Sequence, residues 1–263
     1  MRAYWAIISA RFRVLLQYRA AAAAGFGTQL FWGLMRVMIF DAFYRSTDAP
    51  QPMSYPEVVT YIWLGQAMLA MIPWNVETEI RQMVRTGTVA YELLRPLDLY
   101  ALWFCRSLAL RSAPTVLRAI PMFVLAGLFF GMSAPPSWAS AVAAAISALA
   151  ALLLSSALTT LFSISLLWTI SGDGLFRLGA ICVMIFSGLI VPLPLFPDWA
   201  QAALNFMPFR GVVDVPFRIY MGHIPPGQVL WPLAHQVAWT LALIALGRWL
   251  LARGTYRLVV QGG

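Results

Sequence analysis

The sequence predicts an all-α integral membrane protein with six transmembrane helices, an N-terminal interfacial helix and an outer re-entrant helical hairpin. Three observations support this fold class: composition, charge-free stretches and the distribution of arginine. Of 263 residues, 61% are hydrophobic and 11% charged, and the mean hydropathy is +0.75. Soluble chains carry about 25% charged residues, so this chain has too few charges to cover a soluble surface. The first residues mix arginine with aromatics and lack a clean cleavable signal, so we expect no cleavage.

The spans are predicted from stretches without charged residues, because roughly 20 apolar helical residues cross a bilayer core. Residues 119–172 contain no charge, which is more than one crossing needs, and Gly131, Pro135 and Pro136 divide them. The chain is expected to be one domain, 1–263, with spans near 20–42, 57–75, 112–131, 138–168, 175–193 and 229–250.

Arginine sets the predicted orientation, since all 18 basic residues are arginine and cytoplasmic loops carry the excess of positive charge. With the N-terminus inside, Arg45, Arg210 and Arg218 lie outside and Arg36 lies within the first span. The other arginines are cytoplasmic: Arg2, Arg11, Arg13, Arg19, Arg81, Arg85, Arg95, Arg106, Arg111, Arg118, Arg177, Arg248, Arg253 and Arg257. Both termini are therefore expected in the cytoplasm.

Residues 1–19 place Ile8, Phe12 and Leu15 at helical spacing among arginines. This pattern predicts an amphipathic helix in the inner membrane interface. The alternative is a simple charged flank of the first span.

The longest cytoplasmic loop, 75–112, begins with a predicted amphipathic helix. Asn75 is the expected N-cap and Gly87 the expected C-terminus. Glu77 and Glu79 lie in the first turn, where the helix dipole favours acids. An apolar stripe follows the i, i+3, i+4 rule, with arginine on the remaining surface; its members are Ile80, Met83 and Val84, flanked by Arg81 and Arg85. The alternative is a solvated charged loop.

The outer segment 194–209 is too apolar for a free loop and too rich in proline for a span. Irregular backbone at membrane depth needs a covering of protein or a water-filled cavity, so a re-entrant helical pair is expected, with an interfacial loop lying flat as the alternative. The residues that define it are Pro192, Pro194, Phe196, Pro197 and Pro208.

These features resemble the membrane permeases of type-2 ABC exporters, and specifically a subgroup with two related permeases and a separate ATP-binding protein. The most specific motif is Gly87-Thr-Val-Ala-Tyr-Glu-Leu-Leu-Arg-Pro-Leu-Asp-Leu-Tyr100. Further support comes from residues 17–20 and from Ser187-Gly188, Leu195-Phe-Pro197, Met207-Pro-Phe209 and Tyr220-Met-Gly222.

The resemblance implies an ATP-driven exporter in a bacterial inner membrane, in which this chain forms the translocation path. It implies that the loop helix couples to an ATPase dimer that binds ATP and Mg, and that a second, related but different permease and membrane lipid are partners. The implied coupling residues are Glu77, Glu79, Ile80, Arg81, Met83, Val84, Arg85, Gly87, Arg95 and Pro96.

Other functions receive less support from the residues. A phosphate-binding P-loop needs lysine, which the chain lacks, and no catalytic, metal or cofactor motif is present; nothing predicts nucleic-acid binding. The alternatives are an integral-membrane transferase or lipid-modifying enzyme, which would need the acids of the 75–112 loop, and a non-transporting scaffold. Cys105 and Cys182 are expected to be ordinary apolar residues.

Overall fold

All regular secondary structure in the computed structural model is helical over the residues it describes, 2–17, 19–169 and 173–255. The prediction of an all-α chain is confirmed. The predicted loop centre near residue 172, Tyr18 of the 17–20 motif, and Arg257 lie outside the described residues.

The α-helices are α1 Arg2–Gln17, α2 Arg19–Ser46, α3 Tyr55–Ala67, α4 Thr78–Thr86, α5 Ala90–Leu93, α6 Leu99–Phe129, α7 Trp138–Ser165, α8 Asp173–Phe186, α9 Asp198–Phe206, α10 Asp214–Tyr220 and α11 Leu230–Thr255. Short 3₁₀ turns occupy Leu69–Met71, Leu193–Leu195, Pro208–Gly211 and Pro226–Gln228.

Three of these helices, α6, α7 and α11, are long and apolar enough to cross a membrane. They contain 31, 28 and 26 residues. Helix α2 is also 28 residues long but carries Arg36, Asp41 and Arg45, whereas α3 and α8 have only 13 and 14 residues.

The predicted second span, 57–75, is not one continuous helix. Helix α3 ends at Ala67, a 3₁₀ turn follows, and Ile72 is extended with ψ 132°. Pro73 explains the break, because a proline disfavours helical backbone in the residue before it. The predicted third span also differs, since α6 begins at Leu99 rather than near 112.

The predicted fifth span, 175–193, ends early. Helix α8 stops at Phe186, and Gly188 follows with φ +90°, a conformation that residues with a side chain rarely adopt. The chain beyond it turns through two 3₁₀ segments, α9 and α10 before α11 begins.

The largest core cluster centres on α3, which packs against α6 and α7. Helix α11 packs along α7, and α1 lies along the first part of α6. The small side chains of α7 allow close packing: Ala143 and Ala144 contact Val215 and Ile219 of α10. The buried Gln236 of α11 donates to the carbonyl oxygen of Ser147, at 3.1 Å. This arrangement brings the 75–112 loop and α1 to one end of the bundle.

Candidate functional site

The segment from α4 to the start of α6 is held in a fixed shape by its own backbone. Gly87 adopts φ +72° directly after α4, and Val89 donates its backbone N–H to the Met83 carbonyl at 3.1 Å. The predicted end of the helix at Gly87 is confirmed. The N-cap is Glu77 rather than Asn75, so that prediction was wrong by two residues.

The apolar face of α4 points into the chain itself. Ile80 is fully buried in a cluster with Val89, Leu99 and Trp103, and Met83 and Val84 pack partly against the same cluster. Ile80 thus packs against its own chain, and the coupling role implied for this stripe stays a prediction.

Glu77 is also buried, with 3% of its surface exposed, and it forms an ion pair with Arg11 of α1. Arg11 also contacts Glu79, at 2.7 Å. Burial raises the pKa of the Glu77 carboxyl, although the nearby Arg106 and Arg11 cations oppose the shift. The ion pair makes Glu77 an internal link between α1 and the start of α4, and its coupling role stays a prediction.

A second buried carboxylate, Glu92, fixes α5 onto α6. Its two oxygens accept from Trp103 Nε1 at 2.9 Å and pair with Arg106 Nη2 at 3.0 Å. Because Glu92 faces inward, its neighbours face outward: Tyr91 is 70% exposed and Leu94 80% exposed. The sequence did not single out these two side chains, although they lie within the motif 87–100.

What we call the docking surface consists of exposed side chains of α4, α5 and the two residues after α5, namely Glu79, Gln82, Arg85, Tyr91, Leu94 and Arg95. Of the predicted coupling residues, Glu79, Arg85, Arg95 and Pro96 are exposed, and Arg81 and Gly87 are half-buried. Charged and apolar side chains side by side, on a rigid loop, are typical of a protein-binding surface.

Asp98, next to the docking surface, contacts both α1 and α11. Its side chain caps α6 by accepting from the Ala101 N–H at 2.8 Å, and it pairs with Arg248 of α11 at 3.1 Å. Its backbone N–H donates to the Tyr4 hydroxyl of α1 at 3.0 Å.

The connector between α3 and α4, residues 68–77, is anchored by an arginine that sequence reasoning had assigned to the cytoplasm. Arg111 of α6 is 2% exposed. It donates to Thr159 Oγ1 at 3.0 Å, to the Ile72 carbonyl at 2.8 Å and to the Asn75 carbonyl. Ser155 of α7 donates to the Met71 carbonyl. The connector is thus bonded to both α6 and α7.

The prolines predicted for the outer segment lie at turns. Pro192, Pro194 and Pro208 lie at or next to the starts of 3₁₀ turns, and Pro197 precedes α9. Phe196 ends the first turn, where its carbonyl accepts from Gln201 at 2.9 Å.

Beside this segment lies a charged cluster that the sequence did not reveal. Asp214 is fully buried within 3.6 Å of Arg210 and 4.0 Å of Arg218, and Tyr61 donates to it at 3.5 Å. The i, i+4 spacing of Arg210, Asp214 and Arg218, the first in the 3₁₀ turn before α10 and the other two on α10, was the available signal.

Neither histidine belongs to a metal site in the described ranges, where no group of three His, Cys, Asp or Glu residues could hold an ion. His223 lies 2.6 Å from Glu57 Oε1, and His235 lies 3.1 Å from the Phe206 carbonyl.

Comparison with known proteins agrees with this geometry. The model of the family described as ABC-2 family transporter protein matches residues 30–262, which is most of the chain. A search of curated proteins found no match. Family membership implies a partnership with an ATP-binding subunit. The chain therefore belongs to the ABC-2 transporter family and is a multi-pass membrane permease of an ABC transporter.

Proposed function

We propose that this chain is the permease of an exporter powered by a separate ATP-binding subunit, which binds ATP and Mg and attaches to the docking surface. The observation that carries the proposal is the pair Tyr91 and Leu94, both largely exposed between the charged residues Arg85 and Arg95. A desolvated aromatic or aliphatic anchor surrounded by charges is the usual centre of a protein interface.

Movement of the docked subunit has a direct route into the membrane. Helix α4 joins the connector, and the connector is held to α6 by Arg111 and to α7 by Ser155. Arg11 joins α4 to α1. We infer that closure of the ATP-binding dimer moves α4 and the connector together and so tilts α6 and α7.

In the membrane, we propose six spans built on α2, α3, α6, α7, α8 and α11, with both termini in the cytoplasm of a bacterial inner-membrane protein. Helices α3 and α8 are short, at about 20 Å each. Buried residues in the segments that follow them, among them Ile72, Leu189 and Leu193, support a path that stays within the protein at membrane depth. The segment 194–209 then forms the re-entrant part on the outer side.

The proposed topology can be tested by labelling single cysteines in a variant without Cys105 and Cys182. Cysteines at Ser46 and Ser133, both exposed, should react with an impermeant maleimide added to intact cells. A cysteine at the exposed Thr86 should react only after the membrane is permeabilised. Labelling of Thr86 in intact cells would exclude the proposed orientation.

The working complex is proposed to contain a second permease, related to this chain but different from it. One bundle of six helices has too few to enclose a wide path, and many large apolar side chains of α2 and α7, such as Phe31, Met38 and Leu149, are exposed. Lipid or a second permease can cover them.

A tagged copy of this chain, isolated from its native membrane, should bring with it an ATP-hydrolysing subunit and a second permease. The subunits can be identified and counted by mass spectrometry. A stable complex with two copies of this chain and stimulated, transport-coupled hydrolysis would rule out the second, different permease. Failure of any ATPase to co-purify would count against the proposed function itself.

The alternative of a transferase or lipid-modifying enzyme has less support. The acids that it would need are Glu77, Glu79, Glu92 and Asp98. Glu77 and Glu79 pair with Arg11, Glu92 with Arg106, and Asp98 with Arg248. Carboxylates committed to ion pairs and helix capping are poorly placed to act as general acids or bases.

A further inference from the structure

A cavity of about 520 Å³ lies between α2, the end of α3 and the segment after α8. Most of its lining is apolar, and Trp32, Phe40 and Met184 contribute to it. Trp32 and Ile39 at its edge are 51% and 59% exposed, so the cavity opens on the outside of the helix bundle. Three longer polar side chains also line it: Gln29, Arg36 and Gln66.

The two glutamines are buried without being satisfied. Each is 2% exposed, and in the part of the chain that the structure describes neither side-chain atom of the Gln29 amide has a hydrogen-bond partner. The Gln66 side-chain oxygen also lacks one there. Buried polar groups are almost always hydrogen-bonded, because an unsatisfied one costs free energy. Of these three atoms, Gln29 Nε2 is a donor that an anionic headgroup can satisfy, and the two amide oxygens are acceptors that need an O–H or N–H from the same ligand.

Arg36 is the charged side chain in the lining of the cavity. Its Nη2 donates to the Ile190 carbonyl at 2.7 Å, which uses one of the five N–H donors of a guanidinium. Among the described residues no carboxylate pairs with it, and the titratable group that interacts with it is the Tyr61 hydroxyl. A cation inside a membrane helix is rare and is normally paired, so an anion is the expected ligand.

We propose that this cavity binds an anionic amphiphile. Its phosphate, sulfate or carboxylate headgroup contacts Arg36, Gln29 and Gln66, and its apolar body lies between Trp32, Ile39 and Phe40. Ten residues separate Arg36 from the outer end of α2 at Ser46, or about 15 Å. Arg36 is therefore in the outer half of the proposed span, Gln29 lies near its middle, and the cavity is accessible from the bilayer.

Binding does not depend on the proposed transport function, but the inference that the bound molecule is exported rests on that function. The complex isolated through this chain should be placed in nanodiscs of phosphatidylcholine, and binding of radiolabelled dodecyl phosphate measured without ATP. Arg36→Gln should weaken binding at least tenfold. Gln66→Leu leaves the hydrogen bond from Arg36 to Ile190 in place and should weaken the binding of dodecyl phosphate about threefold or more. This variant provides the test if Arg36→Gln fails to fold.

The matched control is Arg118→Gln. Arg118 packs against Gly25, nearer the other end of α2, and does not line the cavity; its loss should change binding less than twofold. Equal affinity in the wild type, Arg36→Gln and Gln66→Leu would overturn the proposal. Competition by dodecyltrimethylammonium as strong as that by dodecyl sulfate would do so as well.

Two further arms identify the source of the headgroup. Displacement by phosphatidylglycerol supports a bilayer lipid as the ligand, whereas dodecyl phosphate that stimulates ATP hydrolysis without such competition supports an exported substrate. Displacement by inorganic phosphate at the same concentration would overturn the amphiphile. If every variant binds dodecyl phosphate as the wild type does while the ATPase still co-purifies, only this inference is refuted. If no ATPase co-purifies but dodecyl phosphate still binds, only the proposed function is refuted.

Discussion

Leu94→Asp should release the ATP-binding subunit, lowering its retention on the tagged permease by at least about tenfold. Leu94 is 80% exposed beside the exposed Tyr91, so the substitution costs this chain little. The new carboxylate would be buried in the interface without a partner. Truncation of a central anchor by itself lowers the binding free energy by about 2 kcal/mol or more. Co-purification at fixed ionic strength measures the effect, and Tyr91→Ala should act in the same direction.

The control for this prediction is the same leucine-to-aspartate substitution at an exposed position outside the docking surface. Leu230 at the start of α11 is 78% exposed, so Leu230→Asp makes the same exchange at a similar exposure, away from the docking surface. It should retain the ATPase at the wild-type level. Arg85→Ala should reduce retention less than fivefold, because exposed ion pairs contribute about 0.2–1 kcal/mol each. Equal retention by Leu94→Asp and Leu230→Asp would exclude this surface as the dock.

Sequence patterning predicted α4 because its apolar residues repeat with the period of a helix and Gly87 follows them. The same pattern could not say what covers the apolar face. Ile80 fits equally well against another subunit or against Trp103 of its own chain, and the structure places it against its own chain. Periodicity identifies which side chains share a face, whereas the packing partner depends on contacts distant in sequence.

Charge was the second signal, and it misled at Glu92 and Arg111. Acids and arginines are usually exposed, so the sequence offered no reason to expect burial of Glu92, and Arg111 was assigned only to the cytoplasmic side. Each is buried because partners elsewhere in the chain satisfy it: Trp103 and Arg106 for Glu92, and the connector carbonyls and Thr159 for Arg111. The broken end of α3 was missed for a related reason, since hydropathy records the absence of charge and not the course of the backbone.

Arg111→Leu should destabilise the permease by about 3 kcal/mol or more. The substitution removes the side-chain donor to the Ile72 and Asn75 carbonyls and leaves Thr159 without its arginine partner. Hydrogen bonds that involve a charged group contribute about 1.5–3 kcal/mol each, and the substitution removes three of them. Thermal unfolding of the detergent-purified complex should show a midpoint lower by about 5–10 °C.

Arg111→Lys separates the stabilising role of this residue from its proposed role in coupling. Lysine keeps the charge but lacks the rigid fork that reaches two carbonyls and a hydroxyl together, so it should hold the connector less firmly to α6. We expect a smaller loss of stability than in Arg111→Leu, but a clear loss of the increase in ATP hydrolysis that the permease produces in its partner. Arg118→Leu is the control, because Arg118 lies against Gly25 and makes no contact with the connector among the described hydrogen bonds. If Arg111→Leu unfolds at the wild-type temperature, or if Arg111→Lys stimulates its ATPase as the wild type does, the connector is not held to α6 by this arginine in the working complex.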